Sequence, residues 1–349
     1  MDGAVRPEPA VIADRASTMN HDSRLVTVFG GSGFVGRHVV SALARRGYRV
    51  RVACRRPDLA GHLQPLGIVG QIHAVQANLR YPDSVMRAAA GSDAVINLVG
   101  ILVPRGRQSF DAVQAEGAAA VAQAARAAGA STFVHMSALG ADADSASDYA
   151  RTKAAGEAAA FAAFPDAIVL RPSIVFGPED QFFNRFGALA RMLPVLPLVG
   201  GGTTRFQPVF VGDVAEMIAR AVDGSVARGK VHELGGPQVR SFRELLEDIL
   251  RITGRKRLLV PLPWPVARAQ AAVIDLVDRL TLGLVPDELV MTTDQVTLLH
   301  QDNVVSRAAI AEGRTLEGAG IVPTAYEAVV PSYLWRFRKT GQFEANRTA

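Results

Sequence analysis

From Arg24 onward, short apolar runs rich in β-branched residues alternate with longer stretches in which apolar residues return every three or four positions. The runs fall at 25–29, 49–53, 72–75, 94–99, 132–135 and 167–170. Strand, helix and strand at this pitch predict βαβ units around a parallel sheet, because parallel neighbours need a crossover. Such a sheet is covered on both faces, which suits the nearly unbroken apolar run Ala94-Val95-Ile96-Asn97-Leu98-Val99. After Leu170 the rhythm loosens. Prolines cluster at 194 and 197 and again at 261, 263 and 265, with Gly200-Gly201-Gly202 between them. The pattern predicts an α/β fold: a Rossmann-like doubly wound parallel sheet over 24–171, then a smaller mixed α/β substrate or docking domain over 172–349. Part of 203–235 is expected to return to the first domain. Residues 1–23 carry Pro, Asp, Glu and Arg without the apolar segment of a secretory signal, and read as a flexible leader.

Composition narrows the function classes. At 349 residues, 49% hydrophobic and 20% charged, the chain is not a disordered one. Its one cysteine, Cys54, excludes a disulfide scaffold and a thiolate zinc site, and reads as a small buried filler; no metal site is expected. The net charge of +5 is dispersed. Its densest knots, Arg55-Arg56 and Arg255-Lys256-Arg257, are too short to track a phosphate backbone, so no nucleic-acid partner is expected. No segment has the roughly 18 apolar residues of a spanning helix.

The sharpest local signal is Gly30-Gly31-Ser32-Gly33-Phe34-Val35-Gly36, between a predicted strand and a helix expected over 34–46. Gly30 permits a tight turn, Gly33 lets backbone approach a pyrophosphate, and Gly36 allows the helix to pack closely on the sheet. Free N–H groups at the helix start would face the anion. About 20 residues on, an NAD site wants an acid for the ribose 2′-hydroxyl. Here the second strand runs into Cys54-Arg55-Arg56, with no acid before Asp58. Arginine suits a 2′-phosphate, so NADP(H) is preferred over NAD(H), unless both guanidiniums are merely solvated.

Tyr149 and Lys153 stand four apart at the start of an Ala-rich helix and so share a face. With five tyrosines and four lysines in the chain, chance supplies only about 0.06 such pairs, so the spacing is informative. A nearby ammonium would lower the phenol pKa and make Tyr149 a proton donor, or Lys153 would reach the nicotinamide ribose. Ser137, twelve residues before Tyr149, reads either as the hydroxyl that orients a substrate carbonyl or as a strand-end serine bonding its own backbone.

Together these residues resemble the extended or atypical branch of the short-chain dehydrogenase/reductase superfamily. Further matching segments are Asn97-Leu98-Val99-Gly100, Leu170-Arg171-Pro172-Ser173, Phe176-Gly177-Pro178, Gln207-Pro208-Val209 and Val211-Gly212-Asp213-Val214-Ala215. The resemblance implies cofactor contacts at Asn97, Val99 and Pro172, and at Asn78 and Leu79, where many relatives carry Asp-Leu beside the adenine. In many extended relatives the working hydroxyl falls one place after Ser137, where this chain has Ala138. Later segments resemble the nucleotide-binding accessory subunits of respiratory complex I and their bacterial relatives. They are Val260-Pro261-Leu262-Pro263, Thr293-Asp294-Gln295-Val296, Asp302-Asn303-Val304-Val305, Pro323-Thr324-Ala325, Pro331-Ser332-Tyr333-Leu334 and Gly341-Gln342-Phe343. That resemblance implies a structural NADPH and complex I or quinone-biosynthesis proteins as partners. It also implies a cytoplasmic chain lying peripherally on the inner face of the respiratory membrane. Turnover is not required by it. An active NADP(H)-dependent reductase, dehydrogenase or epimerase using Tyr149, Lys153 and Ser137 is the alternative.

Two segments bear on the membrane expectation. After Pro265, Arg268, Asp275, Asp278 and Arg279 gather on one side of a helical projection, with Val266, Val273, Val277 and Leu280 opposite. Tyr333-Leu334-Trp335-Arg336-Phe337-Arg338-Lys339 interleaves aromatics and cations. Each reads as an interfacial segment or as a helix packed on the protein's own core.

Overall fold

The computed structural model describes residues 24–281, 291–341 and 343. Six strands alternate with helices in the first half: β1 (Leu25–Phe29), α1 (Phe34–Arg45), β2 (Arg49–Cys54), β3 (Ile72–Gln76), α2 (Pro82–Ala89), β4 (Ala94–Asn97), α3 (Glu116–Ala127), β5 (Thr132–Met136), α4 (Asp148–Ala163) and β6 (Ile168–Pro172). The second half holds β7 (Val175–Phe176), α5 (Phe182–Met192), β8 (Val195–Val199), β9 (Arg205–Phe206), β10 (Val209–Phe210), α6 (Val211–Asp223), β11 (Lys230–Leu234), β12 (Arg240–Ser241), α7 (Phe242–Thr253) and β13 (Leu258–Leu262). Then come α8 (Trp264–Leu280), α9 (Thr293–Leu298), α10 (Arg307–Ala311), α11 (Tyr326–Val329) and α12 (Pro331–Leu334).

The main sheet has seven strands in the order β11-β6-β5-β4-β1-β2-β3, and every pairing in it is parallel. Its strands are apolar on both faces for the reason parallel sheets are. Val26, Val28, Ile96 and Val134 pack with α1 and α6 residues on one side, while Phe29, Val95 and Phe133 pack with α2 and α3 residues on the other. The strand order reverses between β1 and β4, which opens a crevice beyond their carboxyl ends. Register aligns those ends. Phe29 lies opposite both Ala53 and Asn97, and Asn97 lies opposite His135, so the segments after β1, β2, β4 and β5 all emerge at one edge.

A second core gathers Phe183, Phe186, Leu196, Leu198, Phe242, Leu245, Leu246, Tyr326 and Tyr333 between α5, β8, α7 and the C-terminal helices. Tyr333, Leu334 and Phe337 of the tail belong to it. Tyr333 and Leu334 are buried, and Arg338 Nε donates to the Ile252 carbonyl at 2.8 Å. Of the two readings of that tail, packing on the protein's own core is the one observed for Tyr333, Leu334 and Phe337, while Trp335 stays exposed.

The reverse holds for α8. Among its described side chains only the small Ala267 and Ala271 are buried, whereas Val266 (52% exposed), Val273 (60%), Leu276 (57%) and Leu280 (74%) face outward. The reading of α8 as a helix that packs its apolar stripe on the core is overturned. The side chains of Asp278 and Arg279, like Gln342 and residues 1–23, lie outside the described residues. No helix among the described residues is long and apolar enough to cross a membrane.

Candidate dinucleotide crevice and the Tyr149–Lys153 site

The turn after β1 is built as its glycines require. Gly30 has φ +79°, a left-handed conformation that side chains disfavour, and its N–H donates to the Ala53 carbonyl at 3.0 Å. A methyl group on Gly36 would sit 2.3 Å from the Gly30 carbonyl oxygen, so α1 approaches the turn as closely as backbone allows. At Gly33 a methyl would meet only that carbonyl, at 3.3 Å, and the residue is exposed. Gly33 starts α1 without a capping side chain, and the helix has no acid in its first turn. The positive end of the helix dipole and uncapped N–H groups thus open onto room for a diphosphate. These residues fit the phosphates of a dinucleotide.

Arg55 and Arg56 follow β2 and are both exposed. Arg55 donates to Gln108 Oε1, and Arg56 makes a two-pronged pair with Asp58, at 3.0 and 2.7 Å. Each guanidinium has one exposed polar partner it could exchange for a phosphate. Cys54 is buried, and burial pushes its thiol pKa up. Asn78 spends its side chain on its own turn, Oδ1 accepting from Arg80 N–H at 3.2 Å, while Leu79 packs with the apolar side chains between α2 and α3.

Across the crevice, Val99 touches the Gly30 turn: a methyl on Gly30 would lie 3.1 Å from Val99 Cγ2. A methyl on Gly100 would lie 3.2 Å from Lys153 Nζ. The phosphate loop, the segment after β4 and the Tyr149 helix are therefore contiguous. Asn97 is buried, with Oδ1 accepting from Val99 N–H at 3.2 Å and Nδ2 3.3 Å from His135 Nδ1. Pro172, the last residue of β6, accepts from Leu139 N–H at 3.0 Å and so fixes the segment that follows Ser137.

Tyr149 and Lys153 lie on the first turns of α4, which starts at a Ser147 cap. Lys153 is buried and donates to the Met136 carbonyl at 3.2 Å; its ammonium lies 5.8 Å from the centre of the Tyr149 ring. Burial pushes the Lys153 pKa down to about 8 against the opposing pull of Glu157, itself paired with Arg171 at 2.6 and 2.8 Å. The phenol departs from expectation. Burial, with the Asp294 carboxylate second, pushes Tyr149 up to about 12, so in this structure Lys153 does not prime it.

Ser137 Oγ is buried without a hydrogen-bond partner. That excludes a strand-end serine satisfied by its own backbone and leaves a hydroxyl free for another group. Two neighbours in the chain of contacts escaped the sequence reading. His135 is buried and held neutral, its pKa pushed down to about 3 by burial and by Lys153. With Nδ1 accepting from Asn97, its Nε2 carries the proton, and that atom has no partner. Gln114, in the π-helical turn Asp111–Ala115, leaves Oε1 equally unpartnered. The signal for His135 was its period-two spacing from Ser137, which puts both on one strand face; Gln114 had none. Among the described residues no cluster of His, Cys, Asp and Glu could hold a metal ion.

The profile of the NAD dependent epimerase/dehydratase family matches residues 26–235, from the start of β1 to just beyond β11. The chain belongs to that family. Within it, or beside it, stand relatives of comparable length. Subunit 9 of the NADH dehydrogenase [ubiquinone] 1 alpha subcomplex, a mitochondrial protein of Arabidopsis thaliana, is 35% identical over 322 residues, 91% of this chain and 79% of the relative. The Rattus norvegicus subunit is 36% identical over 317 residues, 90% and 80% of the two chains. A ceramide reductase of Caulobacter vibrioides is 34% identical over 300 residues, 84% and 90%. The homology to complex I subunits agrees with the resemblance carried by the later segments. Among solved structures, the Escherichia coli NADPH-dependent quinone oxidoreductase in complex with NADPH superposes with a TM-score of 0.68 at 20% identity. The match covers 89% of this chain and 99% of the other. At that identity it is the epimerase/dehydratase fold that is shared.

Proposed function

We propose that this member of the family is an NADP(H)-holding protein of the complex I accessory-subunit type, in which the dinucleotide is chiefly a structural element. The observation that carries this reading is the state of the phenol. Lys153, buried beside the Tyr149 ring, gives its hydrogen bond to the Met136 carbonyl rather than to the phenol, and burial with the Asp294 carboxylate keeps the phenolic proton on. The Gly30–Gly36 turn would bind the diphosphate, Arg55 and Arg56 the 2′-phosphate, and Lys153 the nicotinamide ribose. Bound NADPH supplies a hydride donor when an acceptor is present. Because it binds only the folded chain, it stabilises the chain by mass action.

The homologous complex I subunits support a respiratory assembly, or a quinone-related one, as partner. The outward apolar stripe of α8 supports a peripheral seat on a bilayer.

The buried, unpartnered hydroxyl of Ser137 favours a second reading, an active NADP(H)-dependent reductase on a carbonyl substrate, and the ceramide reductase relative gives it weight. Purified protein separates the two. NADPH that survives gel filtration and is not oxidised by a panel of carbonyls and quinones supports the holder. Turnover that disappears in Tyr149→Phe while the cofactor stays bound supports the enzyme and overturns the holder.

A further inference from the structure

The segment Thr293-Asp294-Gln295-Val296 reaches the site from the far end of the chain. Asp294, in the first turn of α9, accepts from the start of the Tyr149 helix at three points: from Ser147 Oγ at 2.9 Å and Asp148 N–H at 2.7 Å, and more weakly from Tyr149 N–H at 3.4 Å. Two of these donors are backbone N–H groups at the positive end of α4, where a carboxylate is most favourable. Ser147 is wholly buried and also caps Ala150 N–H, so Asp294 holds the capping residue itself. The hook is anchored in turn. Asp275, midway along α8, accepts from Thr293 N–H at 3.0 Å and Thr293 Oγ1 at 2.8 Å. Val296 is buried with Ala267 and Ala271, which packs α9 onto the inner face of α8. Two carboxylate caps in series therefore link the outward-facing helix to the residue that lines the crevice.

We propose that Asp294 is the positioning residue of Tyr149, and that Asp275 makes the α8–α9 unit the support that sets where the phenol stands. Asp294 touches no cofactor or substrate position; it acts through the first turn of α4. Its negative charge adds to burial, the larger cause, in holding the phenolic proton on. Among the described residues, Asp294 is the acceptor for Asp148 N–H.

The test uses full-length protein with a fluorinated tyrosine at 149, a trifluoro form whose more acidic phenol titrates while the fold is intact. Asp294→Asn keeps an oxygen acceptor for Asp148 N–H and removes the charge. Its fluorine titration midpoint is expected to fall by about half a unit. Asp275→Ala leaves Asp294 chemically intact and releases the other end of the hook. It is expected to shift the fluorine resonance and to raise the NADPH dissociation constant about threefold, with both effects recovered in Asp275→Glu. An unmoved midpoint in Asp294→Asn, or an unmoved resonance in Asp275→Ala, overturns the proposal. Only the dissociation constant rests on the cofactor reading. If NADPH binds neither wild type nor variant, that reading fails, and the fluorine signals still decide the hook.

Discussion

The Lys153 ammonium stands 5.8 Å from the centre of the Tyr149 ring but gives its hydrogen bond to the Met136 carbonyl, at 3.2 Å. The pair is thus adjacent without being joined. Burial has lowered the ammonium to about 8 and raised the phenol to about 12, so each group is displaced toward its neutral form. A site in this condition holds its proton at neutral pH.

Lys153 should accordingly be a residue that costs stability. Its folded pKa lies below the unfolded value of 10.5, so the unfolded chain binds more protons between about pH 8 and 10.5. Over that window this group makes stability rise with pH, and below it the full penalty is present. Lys153→Met is expected to raise stability at pH 7 by about 1–3 kcal/mol while weakening NADPH binding at least tenfold. Urea melts and a fluorescence titration of the cofactor read the two effects separately.

His135 sets the acid limb. It is neutral in the fold, with a pKa near 3 against 6.5 when unfolded, so its contribution is intact above pH 6.5 and is lost as pH falls toward 3. Between pH 6.5 and pH 5 the loss should be about 2 kcal/mol. Urea melts of His135→Gln across this range should show a flatter decline. An unchanged slope would mean that the imidazole is not the group responsible.

How far these features could be read from the chain depends on the range of the interaction. The glycine spacing, the βαβ alternation of strands and helices and the Tyr149–Lys153 pair are local patterns, and the fold bears out the first six strands nearly one for one. Boundaries slipped where a backbone partner decided them: β4 stops at Asn97, two residues short, because Asn97 turns its side chain back to Val99 N–H. The phenol's environment was not legible. Asp294 is 145 residues from Tyr149, and a carboxylate delivered from that distance leaves no trace in the spacing around it. Core packing, one of the two readings open for both segments, holds for the tail and fails for α8, and the sequence could not separate the two cases. An amphipathic projection fixes which residues share a face, but not whether that face looks in or out.

The arginines after β2 predict cofactor choice. Arg56 must leave Asp58 to reach a phosphate, so the ion pair competes with binding. Arg55→Ala with Arg56→Ala is expected to weaken NADPH by about 10- to 100-fold and NADH by less than about threefold. Asp58→Asn, which frees Arg56, is expected to tighten NADPH modestly. Calorimetric titration of both dinucleotides checks this, and equal losses for the two would show that the arginines do not select the 2′-phosphate.

Gly36 tests the cradle at its tightest point. A methyl there would press on the Gly30 carbonyl oxygen at 2.3 Å and on the Gly31 backbone at 2.6 Å, and neither can move without shifting the end of β1. Gly36→Ala is expected to cost about 2–3 kcal/mol in a urea melt and to abolish retention of NADPH through gel filtration. Gly33→Ala is the informative companion, because that position has room for a methyl beside the fold itself. It should melt within about 1 kcal/mol of wild type and still lose NADPH, since the methyl would occupy the space left for the diphosphate. A Gly33→Ala protein that binds NADPH as wild type does would leave the crevice standing as a fold and remove it as a phosphate site.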